Sequence, residues 1–208
     1  MSARLLLASL WLPPWLLRRE LARVATRTTG ALDDLLLANA PDALDEIRSS
    51  DRPVSGSSRR RREALARSHA IRVTRLIEIL GRDEALRAAR IALFQTGIEL
   101  GREARVRLGV GQNRRALVQA ARLLYRVLGI AFRVRWTAHG VAMVRIDRCA
   151  LARGYSAETC LALSAADEGV VAGLWPGARL EFMKRITQGE SACIACLRLS
   201  EAEGEGCG

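Results

Sequence analysis

The chain has 208 residues and a mass of 22.8 kDa, with 50% hydrophobic and 26% charged residues. That suits one substantial packed domain, or a domain with a helical extension, and excludes a wholly disordered chain. Aromatic residues make up only 4%, too few for the stacking platforms of a single-strand nucleic-acid binder. The formal net charge of +11 ordinarily points to nucleic acid or an anionic membrane surface. Here, however, every one of the 33 basic residues except Lys184 is arginine, scattered along the chain. A GC-rich coding sequence produces that pattern without any anionic partner, which argues against nucleic acid.

In chain order, the apolar run 5–17 comes first. It is shorter than the roughly 20 residues a membrane-spanning helix needs, is broken at Pro13-Pro14, and is closed by Arg18-Arg19. No small-residue cleavage site follows it, so a cytoplasmic protein is expected. The run fits an interfacial membrane anchor built on Trp11 and Trp15. It fits more simply an arm docked on its own domain or on a second subunit.

Residues 18–47 read as helical, with Leu21, Val24, Leu32, Leu35 and Leu36 forming an apolar stripe interrupted near Gly30. A Ser/Pro/Gly-rich linker at 49–58 precedes the basic run 59–62, which reads as the solvated first turn of the next helix rather than a phosphate grip. From 63 to 129 the pattern stays helical. Gly81 ends the first helix, and Asp83 and Glu84 suit the N-terminal dipole of the second. Gly109 and Gly111 break the second, and Asn113 caps a third that runs to Gly129. Gly97 and Gly101, four residues apart, admit close approach of another helix, either within the chain or across a homodimer.

After Gly129 the period falls to two. Phe132, Val134 and Trp136 alternate with polar residues as a half-buried strand, a turn at His139-Gly140 follows, and 141–148 returns as its partner. Ser156 caps a helix to about Leu174. A second hairpin spans 180–186 and 191–199, with its turn at 188–190. The tail 201–208 is acidic and Gly-rich. The expected class is therefore α+β: an N-terminal helical layer, then helix, hairpin, helix, hairpin, with an antiparallel sheet carrying helices on one face. The expected units are a helical arm and linker over 1–58, an α+β domain over 59–200, and the tail.

Chemistry-bearing residues concentrate in the last third. The five cysteines, Cys149, Cys160, Cys193, Cys196 and Cys207, are odd in number and confined there, unlike a secreted disulfide framework. Cys160 falls near a helix N-terminus, where the dipole favours thiolate. Asp167, two turns on, shares its face. The Cys193/Cys196 spacing resembles half a zinc knuckle, but strand residues three apart face opposite ways. The sequence has no phosphate loop, zincin pair or nucleophile elbow.

Cys149-Ala150-Leu151-Ala152-Arg153-Gly154-Tyr155, then Cys160, Asp167-Glu168-Gly169, and Arg185-Ile186-Thr187-Gln188-Gly189-Glu190 ahead of Cys193 together form a recognisable ending. It is similar to the C-terminal region of the L-2-amino-thiazoline-4-carboxylic acid hydrolase family, and resembles the four-vinyl-reductase-type small-molecule-binding domain. The likeness spans about residues 112–199. The first family implies hydrolysis of a cyclic C–N bond, with Cys160, Asp167 and Glu168 catalytic, and Cys149, Arg185 and Cys193 binding substrate. Arg185 would grip a carboxylate with two hydrogen bonds. The second implies a non-catalytic ligand or metal sensor, but its pattern carries a further cysteine where this chain has Lys184, which speaks against a cysteine-rich metal site. No cofactor is indicated. The expected partner is a small molecule. A third alternative is an arginine-driven binder of nucleic acid or of a membrane surface.

Overall fold

A computed structural model describes residues 2–11, 13–50, 56–138 and 140–199. The expected turn residue His139, part of the linker and the 201–208 tail with Cys207 lie outside the described residues. Seven α-helices precede or interleave four strands: α1 Ala3–Leu10, α2 Pro14–Asn39, α3 Pro41–Ser50, α4 Ser58–Leu80, α5 Arg82–Leu108, α6 Arg114–Leu128, β1 Ile130–Ala138, β2 Val141–Cys149, α7 Ala157–Leu174, β3 Arg179–Lys184 and β4 Cys193–Arg198. The class is α+β.

The boundaries follow local chemistry. Pro13 and Pro14 separate α1 from α2, with Pro14 at a helix start, where its missing N–H costs nothing. Asn113 and Ser156 accept backbone N–H groups at the starts of α6 and α7. Gly109 and Gly129 close α5 and α6 in the left-handed conformation. Arg62 belongs to the basic run but donates to the carbonyls of Val127 and Arg126, at 2.8 and 2.9 Å. It thereby satisfies the C-terminal end of α6.

The sheet order is β1-β2-β4-β3, antiparallel throughout. The second hairpin therefore joins the first through its last strand, and Ile146 lies opposite Cys193. One sheet face packs on α6 and α7, where Ala142, Ala195, Leu197 and Leu180 meet Leu117, Val171 and Leu174 in the core. The other carries the exposed Arg133–Asp147–Arg145 ion pairs, both 2.7 Å.

Helices α2 and α3, within the expected 1–58 arm, pack into the helical layer that follows. Leu32, Leu36, Leu44 and Ile47 share one buried cluster with Val73, Leu93 and Ala162, so α2 and α3 build the same core as α4, α5 and α7. Arg72 anchors this layer to α2 through Asp33 at 2.6 Å. The Gly97/Gly101 pair is used within the chain. A Cβ at either position would strike the backbone of α7, and one at Gly169 or Gly173 would strike the backbone of α5. The four glycines let the two longest-contacting helices meet main chain to main chain. No described helix is long and apolar enough to cross a membrane.

Candidate functional site

Between α2, α4, α6, α7 and the sheet lies a cavity of about 120 Å³. Helical spacing sets its walls. From α7 come Cys160, Leu163, Ser164, Asp167 and Val170, one face at intervals of three and four. From α4 come Leu65 and His69, and from α2 come Glu20, Val24 and Thr28. Leu124, Tyr125 and Leu128 of α6 close a third side, and Ile146, Cys149, Phe182 and Cys193 form the sheet floor. The surface is mostly apolar, with polar groups in a few places, as small-molecule sites generally are.

At the rim Arg107 grips Glu20 with two hydrogen bonds of 2.8 and 3.0 Å, and Arg23 adds one at 3.2 Å. Burial alone would raise the Glu20 carboxyl, but the hydrogen bond and charge of Arg107 hold it below its ordinary value. A second cavity of about 160 Å³ adjoins here and shares Glu20, Val24, Arg107 and Leu124 with the first.

At the deep end stand three free thiols, Cys149, Cys160 and Cys193, with Asp167 among them. Desolvation pushes Asp167 up to about 7, although the Tyr125 hydroxyl hydrogen-bonds to it. The enclosed carboxyl is thus half-protonated near neutrality. Burial, with Asp167 alongside, drives Tyr125 well above its ordinary value. Burial also pushes Cys149 up to about 11 and raises Cys160. This corrects the expectation of a helix-activated thiolate. Cys160 is the fourth residue of α7 and its own N–H already bonds Ser156 O at 3.0 Å, so desolvation outweighs the fading dipole. Cys193 Sγ accepts a hydrogen bond from Ile186 N–H at 3.3 Å.

A second polar feature lines the cavity, close enough to the thiols for Tyr155 to feel Cys149, Cys160 and Asp167. His69, only 2% exposed, lies between Thr28 (Nε2 to Oγ1, 2.8 Å) and Tyr155 (Nδ1 to hydroxyl, 2.7 Å). Thr28 spends its own proton on Val24 O at 2.9 Å, so it accepts from Nε2–H, and Nδ1 accepts from Tyr155. Sequence reasoning singled out none of Thr28, His69, Tyr125 and Tyr155 as site residues, although His69 falls on an apolar stripe of α4 with Leu65 and Val73. The available signal was that stripe itself, since a histidine between Leu65 and Val73 on a buried face must find partners.

Of the six residues singled out from sequence, Cys149, Cys160, Asp167 and Cys193 converge on the cavity. Glu168 does not. It turns to α5 and pairs with Arg90 at 2.9 Å. Arg185 stands just behind the wall, 8% exposed, donating to Ser164 Oγ at 3.3 Å and stacked over Phe182, while its Nε has no hydrogen-bond partner among the described residues. Among the described residues no group of three or more His, Cys, Asp or Glu side chains is placed to hold a metal ion.

No family model matches the chain, and no curated protein matches it. Its fold is similar to that of trafficking protein particle complex subunit 3 from Naegleria fowleri, a structure covalently bound to palmitic acid, at TM-score 0.50 and 16% identity, covering 66% of this chain and 94% of that one. An H-NOX protein from S. oneidensis in the Fe(II)NO state aligns at TM-score 0.47 and 13% identity, covering 83% of this chain and 97% of that one. At these identities the first likeness speaks to the fold alone.

Proposed function

We propose that this chain binds an apolar small molecule in the cavity between α2, α4, α6, α7 and the sheet, with Cys149, Cys160, Cys193 and Asp167 at the ligand's inner end. The observation that carries this reading is the cavity itself. An apolar enclosure that gathers three unpaired thiols and a half-protonated carboxyl forgoes packing that ordinary core residues would supply. The palmitic acid held by the Naegleria fowleri subunit is in keeping with an elongated apolar ligand, one that would extend from this cavity into the adjoining one past their shared residues Val24 and Leu124.

The test uses palmitic acid as probe. Native mass spectrometry should find one molecule per chain, with a rise in melting temperature. Cys160→Phe, which fills the space beside Asp167, and Leu124→Trp, which narrows the junction of the two cavities, should each remove the effect while leaving the circular dichroism spectrum intact. Binding undiminished in both variants, or absent in the unaltered protein, refutes the proposal for this class of ligand.

A second reading is hydrolysis of a cyclic C–N bond, as the thiazoline-hydrolase resemblance implies, and it draws on Asp167. A carboxyl titrating near 7 can take a proton from attacking water and return it to the leaving nitrogen. Turnover of 2-amino-thiazoline-4-carboxylate that Asp167→Asn abolishes would establish it.

A further inference from the structure

The N-terminal corner presents chemistry that the cavity does not use. Helix α1 is held by its inner side: Leu5 is fully buried against α6, and Ser2 Oγ donates to Leu108 O. Its outer side faces water with Leu6 46%, Leu7 68% and Trp11 73% exposed, and Trp15, in the first turn of α2, is 58% exposed. Among the described residues, four of the ten exposed large apolar side chains thus fall within residues 6–15, while the others stand apart along the chain. Isolated exposed apolar residues are ordinary, but a cluster with two tryptophans is not.

Charge completes the pattern. Arg4, Leu7 and Trp11 follow one another at helical spacing, as do Trp15, Arg18 and Arg19, and all three arginines are exposed. None of the three has a carboxylate partner among the described residues, although the nearby Arg23, Arg27 and Arg107 are paired. Arginines such as Arg60, Arg61 and Arg115 also lack one there, so it is the tryptophans and leucines beside these three that mark the corner. No acidic residue precedes Glu20, and that carboxylate is already committed to Arg107 and Arg23. The corner therefore offers tryptophan, leucine and uncompensated arginine together. Indole rings settle at the headgroup level of a bilayer, and unpaired cations beside them meet anionic lipid.

We infer that the α1–α2 corner docks on an anionic lipid bilayer, with Leu7, Trp11 and Trp15 entering the interface and Arg4, Arg18 and Arg19 contacting headgroups. Docking does not depend on the ligand reading. The second cavity's residues Leu16 and Glu20 nevertheless lie within about one to one and a half helical turns of Trp15 along α2.

The experiment is flotation of the full chain with vesicles of phosphatidylcholine alone or mixed with phosphatidylglycerol, at low and high salt. Binding is expected only to the mixed vesicles, weakening with salt. Arg18→Ala with Arg19→Ala should weaken it about thirty-fold, from roughly a five- to six-fold loss per arginine. Trp11→Ser with Trp15→Ser should abolish it, and neither pair should change the melting temperature by more than a degree or so, because these side chains are exposed. Failure to float with anionic vesicles overturns the inference. So does retention by both double variants, which would assign binding to arginines elsewhere. Light scattering adds a third arm: a lipid-free dimer that Trp11→Ser with Trp15→Ser dissolves would show that a second copy, not a membrane, covers this face.

Discussion

Replacing Gly101 or Gly97 with alanine tests the helix contact on which the cavity's α7 wall depends. A Cβ at Gly101 would overlap the carbonyl oxygen of Val170 and stand 3.0 Å from Gly173 Cα. One at Gly97 would overlap Ala166 O and stand 3.0 Å from Ala166 Cα. All these obstacles are main chain, so no rotamer change relieves them and the helices must part. Carbon pairs are most stable near 3.5–4.0 Å, so the separation needed is about 0.5–1 Å, enough to forfeit a quarter to a half of each dispersion contact between α5 and α7. Overpacking of this kind costs about 3 kcal/mol, and alanine's better helix propensity returns about 1 kcal/mol. The net loss is about 2 kcal/mol, or roughly 4–8 °C in melting temperature for a chain of this size. Gly30 supplies the control. It lies inside α2 with nothing within 4 Å of its missing Cβ, so Gly30→Ala should gain about 1 kcal/mol and melt higher. Thermal and urea unfolding followed by far-UV circular dichroism reads both. A Gly101→Ala protein as stable as the unaltered one, or a Gly30→Ala protein that loses stability, would refute the close-contact account.

Two further outcomes follow from the raised groups in the cavity. Asp167 binds its proton more tightly folded, at about 7, than at its ordinary 3.8. The stability it contributes is therefore full below about pH 4 and is lost as pH rises through about 7. Asp167→Asn should flatten the fall in melting temperature between about pH 4 and pH 7, and an equally steep fall in that variant would refute the assignment. Cys149, at about 11, presents about one thiolate in ten thousand at neutral pH. Its alkylation by iodoacetamide should be slow in the folded protein, rise steeply above about pH 9, and become fast on unfolding. Rapid labelling of Cys149 at neutral pH, located by peptide mass, would contradict the upward shift of this half-buried thiol.

Much of the element order was legible because the signals are local. Pro13-Pro14, Gly81, Gly109 and Gly129 stop helices by their own backbone chemistry, and the capping role of Asn113 and Ser156 needs only the next three residues. The alternation from Phe132 to Trp136 requires only a strand with one dry face. Cys160 and Asp167 share a face because any α-helix returns after seven residues, and the structure brings both to one cavity with Cys149 and Cys193.

The α+β class and the shared face of Cys160 and Asp167 were thus legible in the sequence alone, since each rests on spacing within one element. Only the tertiary structure decided that β4 lies between β2 and β3, that Gly97 and Gly101 meet Gly169 and Gly173 rather than a second copy, and that α2 and α3 share the core of α4, α5 and α7. It also turned Glu168 away to Arg90, joined Thr28, His69 and Tyr155 from three separate segments, and reversed the expected shift of Cys160. The physical reason is common to all of these. Local periodicity says which side of an element is buried, but partners, solvent exclusion and the electrostatics that follow from it depend on segments far apart in sequence.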